Sequence, residues 1–121
     1  MKNEVGTMGE IAAARYLRRK GYQILTTNYH SRFGEIDIIA DDRGTVVFVE
    51  VKTRVSSTFA RPMEYVDYQK QQKIIRTALC FLAAQKLDCP CRFDVIEVYL
   101  EDRQRLRSQK LHHIKGAFAA E

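Results

Sequence analysis

Hydrophobic and polar positions change their period several times along the chain. Glu10, Ala13, Ala14 and Leu17 fall at i, i+3, i+4 and i+7, which predicts a helix with these residues on one stripe. Thr7 or a neighbour is placed to cap it, and Gly21 follows Lys20 where a glycine stops a helix. Tyr22 to Tyr29 sets Ile24 and Leu25 among β-branched and polar residues, a short strand, and His30, Ser31 and Arg32 lead on as loop. Gly34 to Asp42 and Thr45 to Arg54 then read as two apolar strands joined at Arg43-Gly44, followed by a loop from Val55 to Pro62. Asp67 is an N-cap for a second helix reaching about Lys86, with Lys70, Ile74 and Ala78 on one row. Arg92 to Leu100 is a further strand, Arg103, Arg105, Arg107 and Lys110 form a basic run, and Leu111 to Phe118 has enough apolar character to close a sheet. The expectation is an α/β fold in one domain spanning 1–121.

The apolar hairpin carries charges that its pattern should exclude. Glu35, Asp37, Glu50 and Lys52 stand among Ile, Val and Phe, and a buried strand tolerates charge only when it is paired or binds a metal. With Arg43-Gly44 as a two-residue loop, Asp42 faces Thr45, Asp37 faces Glu50 and Glu35 faces Lys52. Opposed Cβ atoms lie ~4.5–5.5 Å apart, so the four groups would converge. Two carboxylates that close repel by roughly 4 kcal/mol at an effective dielectric near 20. They persist only with a proton, a counter-charge or a cation, and hard oxygen donors suit Mg²⁺ or Mn²⁺. The competing reading, a charge ladder on a solvent face, requires Ile39, Val46 and Phe48 on that face to be exposed too.

Other charged positions keep two readings at this stage. Glu10 either reaches solvent from the edge of its stripe or points inward at a polar site. Lys70 either joins Lys73 and Arg76 in a solvated basic face or enters the site one turn ahead of the core row. Arg54 and Arg61 border the loop after the hairpin, a place for a substrate gate or an ordinary surface loop. His112 and His113 are adjacent, so a strand would send them to opposite faces, which argues against a metal pair.

Charge and cysteine content narrow the partners. The net charge of +5 favours an anionic partner, nucleic acid first. No apolar run approaches the ~20 residues needed to span a bilayer, so no membrane partner is expected. Glu10 and Arg15 interrupt the N-terminal apolar stretch, which speaks against a signal peptide and for the cytoplasm. Cys80, Cys89 and Cys91 match neither a disulfide framework nor a CxxC zinc pair and read as reduced thiols.

Asp37, a gap of twelve residues, then Glu50-Val51-Lys52 resembles the PD-(D/E)xK nuclease superfamily. A bare D…ExK is short and common. Gly34-Glu35-Ile36-Asp37, Phe48-Val49-Glu50-Val51-Lys52 and Arg92-Phe93-Asp94-Val95 in this order are more specific, and with them the chain is similar, over nearly its whole length, to the YraN-like bacterial family assigned to that fold. The resemblance implies a restriction-endonuclease-like fold: a central mixed β-sheet whose hairpin carries the site, flanked by two main helices. It implies Asp37 and Glu50 as metal ligands, with the Val51 backbone carbonyl as a third, and Glu10 as a helical carboxylate of the same site. Lys52 would position the attacking water or stabilise the phosphate, and Glu35 is an accessory carboxylate. Arg54, Arg61, Lys70 and Lys73 would contact nucleic acid. The implied activity is Mg²⁺- or Mn²⁺-dependent cleavage of DNA, branched or junction DNA included. The alternative is a nucleic-acid-binding module or adaptor that retained the fold, and a homodimer is one arrangement such a chain could take. Two departures stand out: Ala60-Arg61-Pro62, where the family often has glycine before the proline, and Gly116, where asparagine is usual.

Overall fold

A computed structural model describes residues 4–55, 66–100 and 109–120. Two helices, α1 (Glu4–Arg19) and α2 (Tyr68–Ala84), cover a five-stranded sheet of β1 (Gln23–Ser31), β2 (Gly34–Asp42), β3 (Thr45–Val55), β4 (Cys91–Leu100) and β5 (Gln109–Phe118). The strands lie in chain order. Neighbours are antiparallel except β3 and β4, which run parallel with α2 between them in sequence. The architecture is therefore α/β with a mixed sheet.

Strand alternation divides the core in two. Ile38, Ala40, Val47, Val49, Ile96 and Val98 pack against Ala12, Ala13, Ala14 and Leu17 of α1. Ile39, Val46, Phe48, Phe93 and Val95 pack against Ile74, Ile75, Ala78 and Phe81 of α2. Ile39, Val46 and Phe48 are at most 3% exposed, which removes the solvent-face reading of the hairpin.

The helices start and stop for local reasons. Thr7 is not a cap: α1 begins at Glu4, whose carboxylate complements the helix N-terminus, and Val5 and Met8 already pack on the core. Gly21 at φ +92° ends α1 as expected, with Gly21 N donating to Arg18 O and Tyr22 N to Leu17 O. Gly9 is required by contact, because a Cβ there would collide with the Thr53 side chain of β3. Asp67 caps α2, its Oδ1 accepting from Lys70 N at 2.8 Å. His30 belongs to β1 rather than to a loop and pairs across the strands with Glu35. Val55, expected to open a loop, ends β3 instead; the rest of that loop, 56–62 with Arg61, and Arg103, Arg105 and Arg107 lie outside the described residues.

A candidate carboxylate site between the hairpin and helix α2

The turn of the hairpin sets the site. Arg43 and Gly44 both take positive φ, 52° and 93°, the signature of a type I′ two-residue loop. Asp41 Oδ2 accepts from Gly44 N at 3.4 Å, which supports an arginine where asparagine is favoured. The predicted register holds from Asp42↔Thr45 to Ile38↔Val49.

Beyond Ile38 the regular ladder does not continue to the expected Glu35–Lys52 pair. Ile36 and Ile38 would share a face in a regular strand, yet they enter opposite cores, so the pleat shifts phase at Asp37. Asn28, facing this point from β1, has φ 52° and drops out of the pairing with β2. Glu35 is set against His30 of β1, with Nδ1 to Oε2 at 3.4 Å. The shift turns Asp37 toward β3, where its Oδ2 accepts from Val51 N at 2.8 Å.

The structure brings Asp37, Glu50 and Lys70 together. Glu50 is 8% exposed and shares the α2 face of β3 with Val46 and Phe48. Burial, then hydrogen bonding and charge from Asp37, push its carboxyl up to about 7 against the opposing pull of Lys70. The Lys70 ammonium reaches over from the first turn of α2 and stands 2.6 Å from Glu50 Oε2. The contact is an ion pair by distance, although Oε2 lacks an aligned hydrogen bond. Burial pulls Lys70 down, but Glu50, Asp37 and Glu35 outweigh it and its pKa is raised.

The other expected residues occupy definite places. Lys52 is half-buried two residues beyond Glu50, and among the described residues it forms no ion pair. Arg54 lies further along β3, opposite Tyr99 of β4. Lys73 is exposed on α2, its Cβ packed under the β1–β2 turn at Gly34. Glu10 is half-buried on α1, next to the Gly9–Thr53 contact. Among the described residues no three His, Cys, Asp or Glu side chains converge, so Glu10 does not complete a three-carboxylate set here.

A second polar cluster lies behind the sheet, and the hairpin pattern gave no hint of it. Asp94, fully buried, accepts from Arg92 Nε and Nη2 at 2.9 and 3.0 Å, from Gly116 N at 3.0 Å, and bonds His113 Nε2 at 2.7 Å. Burial alone would raise its pKa, but His113, Arg92 and the Gly116 amide together hold it below the usual carboxylate range. Arg92 continues to Tyr22 Oη at 2.8 Å and Asp42 at 3.3 Å, and His113 Nδ1 to Tyr16 Oη at 3.0 Å. Glu97, 1% exposed, bonds His112 Nδ1 at 3.1 Å on the other face. The adjacent histidines thus serve two different carboxylates. The available sign was charge inside the apolar run Arg92–Leu100, the same sign that singled out the hairpin.

The sequence profile described as Uncharacterised protein family UPF0102 matches residues 9–98. A UPF0102 protein of Caldanaerobacter subterraneus is 48% identical over 118 residues, 97% of this chain and 96% of the relative. Another, from Alkaliphilus oremlandii, is 46% identical over 121 residues, 98% of this chain and all of the relative. The chain belongs to this family. Within the UPF0102 span lie Glu10, Asp37, Glu50, Lys52, Lys70 and Asp94, whereas His113 falls beyond it. The departure at Gly116 has a physical reading: its φ is +60°, a conformation that asparagine also tolerates better than most residues.

Proposed function

We propose that this UPF0102 protein is a metal-dependent phosphodiesterase of the restriction-endonuclease-like, PD-(D/E)xK type, acting on DNA in the cytoplasm. The observation that carries the reading is the confinement of Asp37 and Glu50 in a buried place where Glu50 ionises only near pH 7. A divalent cation would relieve that conflict, and the oxygen-only donors fit Mg²⁺ or Mn²⁺ better than softer metals. Asp37, Glu50 and the Val51 carbonyl would hold it, and the ion would polarise a scissile phosphate and acidify a water.

The chain's own residues supply the rest. The Val51 amide fixes Asp37 through Oδ2, which leaves Oδ1 as its second oxygen. Lys52 shares the face of Glu50 by strand alternation, and its ammonium is available to a phosphate oxygen. Lys70 keeps positive charge at the same mouth and, with Lys73 and Arg54, provides sequence-independent attraction to a phosphate backbone.

A non-cleaving nucleic-acid-binding module is the second reading, favoured by Lys70, whose ammonium already offsets Glu50 at 2.6 Å. A panel of duplex, single-stranded and branched DNA and of RNA, with Mg²⁺ or Mn²⁺, separates the two. Cleavage that falls at least about 100-fold in Lys52→Ala, with calorimetric Mn²⁺ binding retained there and abolished in Asp37→Ala, supports the enzyme. Nucleic-acid binding with no cleavage and no Mn²⁺ binding at millimolar metal supports the module.

A further inference from the structure

Behind the sheet, on the α1 side, Tyr22 and His113, buried members of the Asp94 cluster, form the floor of a cavity of about 510 Å³. Its walls include Tyr16 and Lys20 of α1, Asp42 of β2, Arg43 of the β2–β3 turn, and Lys115 of β5. The volume lies in the range of small-ligand sites, and the lining is mostly polar. Thr45, also on its wall, is five residues along β3 from Glu50, roughly 16 Å at ~3.3 Å per residue, and Glu50 faces the other way. The cavity is therefore separate from the carboxylate site.

Its charge is weighted toward cations: Lys20, Arg43 and Lys115 face one lining carboxylate, Asp42. Asp94 meets His113 Nε2 at 2.7 Å, and His113 Nδ1 meets the Tyr16 hydroxyl at 3.0 Å. Tyr22 Oη accepts from Arg92 and keeps its own proton to donate. The two carboxylates of the cluster, Asp94 and Asp42, are already engaged by Arg92, which contacts both. Arg92 offsets one of these two negative charges, so Lys20, Arg43 and Lys115 at the exposed rim outnumber the one that remains. Tyr22 and Thr45 add hydroxyl donors. Three ammonium or guanidinium groups and hydroxyl donors around one cavity match a compact, doubly charged oxyanion.

We propose that this cavity is a binding site for a phosphomonoester dianion, either the terminal phosphate of a nucleic-acid strand or the phosphate of a free nucleotide. The floor positions the donors and the rim supplies the charge. The site requires no divalent metal, so it is tested in the presence of a chelator, apart from any nuclease activity.

Isothermal calorimetry and NMR of the histidine rings on the full chain would follow inorganic phosphate, a nucleoside 5′-monophosphate, and a short oligonucleotide with and without a 5′-phosphate. Saturable binding with a shift of the His113 resonances is expected. Lys20→Gln/Lys115→Gln, which alters only exposed side chains, should weaken binding by about 10-fold or more without changing the thermal midpoint. Glu50→Gln should leave it unchanged. A preference of about 10-fold for the 5′-phosphorylated oligonucleotide over the free nucleotide would identify a strand end as the source, and the reverse order a free nucleotide. The proposal is overturned by no saturation at ~10 mM phosphate or phosphomonoester. It is equally overturned by undiminished phosphate and nucleotide affinity in the double variant, or by loss of that binding in Glu50→Gln.

Discussion

Asp94 and Glu50 sit on neighbouring rungs of the same parallel seam, since Asp94 pairs with Val49 and Glu50 with Val95. They face opposite sides of the sheet and meet opposite fates. Asp94 receives an arginine fork, a backbone amide and a histidine, and stays ionised despite complete burial. Glu50 receives another carboxylate and one imperfectly aligned ammonium, and its pKa climbs to about 7. Burial is common to both, so the difference lies in donors. A carboxylate with its acceptor capacity filled fastens the fold, whereas one left in conflict with a neighbour is prepared for something the folded chain does not itself provide.

The sharpest way to break this contrast is to remove each group. Asp94→Ala would strand Arg92 beside a buried histidine and should cost about 3–5 kcal/mol in urea denaturation followed by circular dichroism. A loss under about 1 kcal/mol would mean that the network is ornamental to stability.

The pH profile should separate the two carboxylates next. Glu50 has a folded pKa raised above its ordinary 4.5, so the folded state holds a proton that the unfolded state has released between about 4.5 and 7. Its contribution to stability therefore falls as pH rises through that window, by up to about 3 kcal/mol, and the penalty is complete above 7. Glu50→Gln should flatten this slope and leave the protein more stable at pH 8. Asp94 acts in the opposite sense: its depressed pKa gives stability that is present above 3.8 and lost as pH falls below it. Denaturation of wild type and Glu50→Gln from pH 3 to 9 reads both windows.

A smaller effect sharpens the role of the counter-ion. Lys70→Met should cost about 1 kcal/mol at pH 8 and nearly nothing at pH 5, where Glu50 is already protonated. The Glu50 midpoint, followed by carboxyl NMR, should move further above 7. An unchanged midpoint would show that the half-exposed ammonium is screened by solvent and is not a partner of the site.

Legibility in the sequence followed the range of the interactions. The Asp42↔Thr45 register was readable because a two-residue turn fixes it within the hairpin itself, and Asp67 and Gly21 were readable because caps act within one turn. The phase shift at Asp37 was not readable, since it depends on Asn28 in a neighbouring strand. Asp37 still meets Glu50, because the altered pleat keeps its side chain directed at β3. Asp94 was quoted only as part of a motif. Arg92 is two residues away, but His113 and Gly116 come from β5 across a register shift between Phe93 and Val95, and nothing local specifies that His113, rather than His112, will reach it.

The parallel seam also has a consequence for the order of assembly. The β1–β2 and β2–β3 contacts close through short turns, so the N-terminal meander can form early, whereas β3 meets β4 only after the intervening α2 segment has been made and folded back. Arg92 reaches Asp42 and His113 reaches Tyr16 only when that seam is shut, and Lys70 approaches Glu50 only once α2 has docked. Both charge clusters are therefore finished late, and a nascent chain ending within α2 carries Asp37 and Glu50 without the seam that buries them.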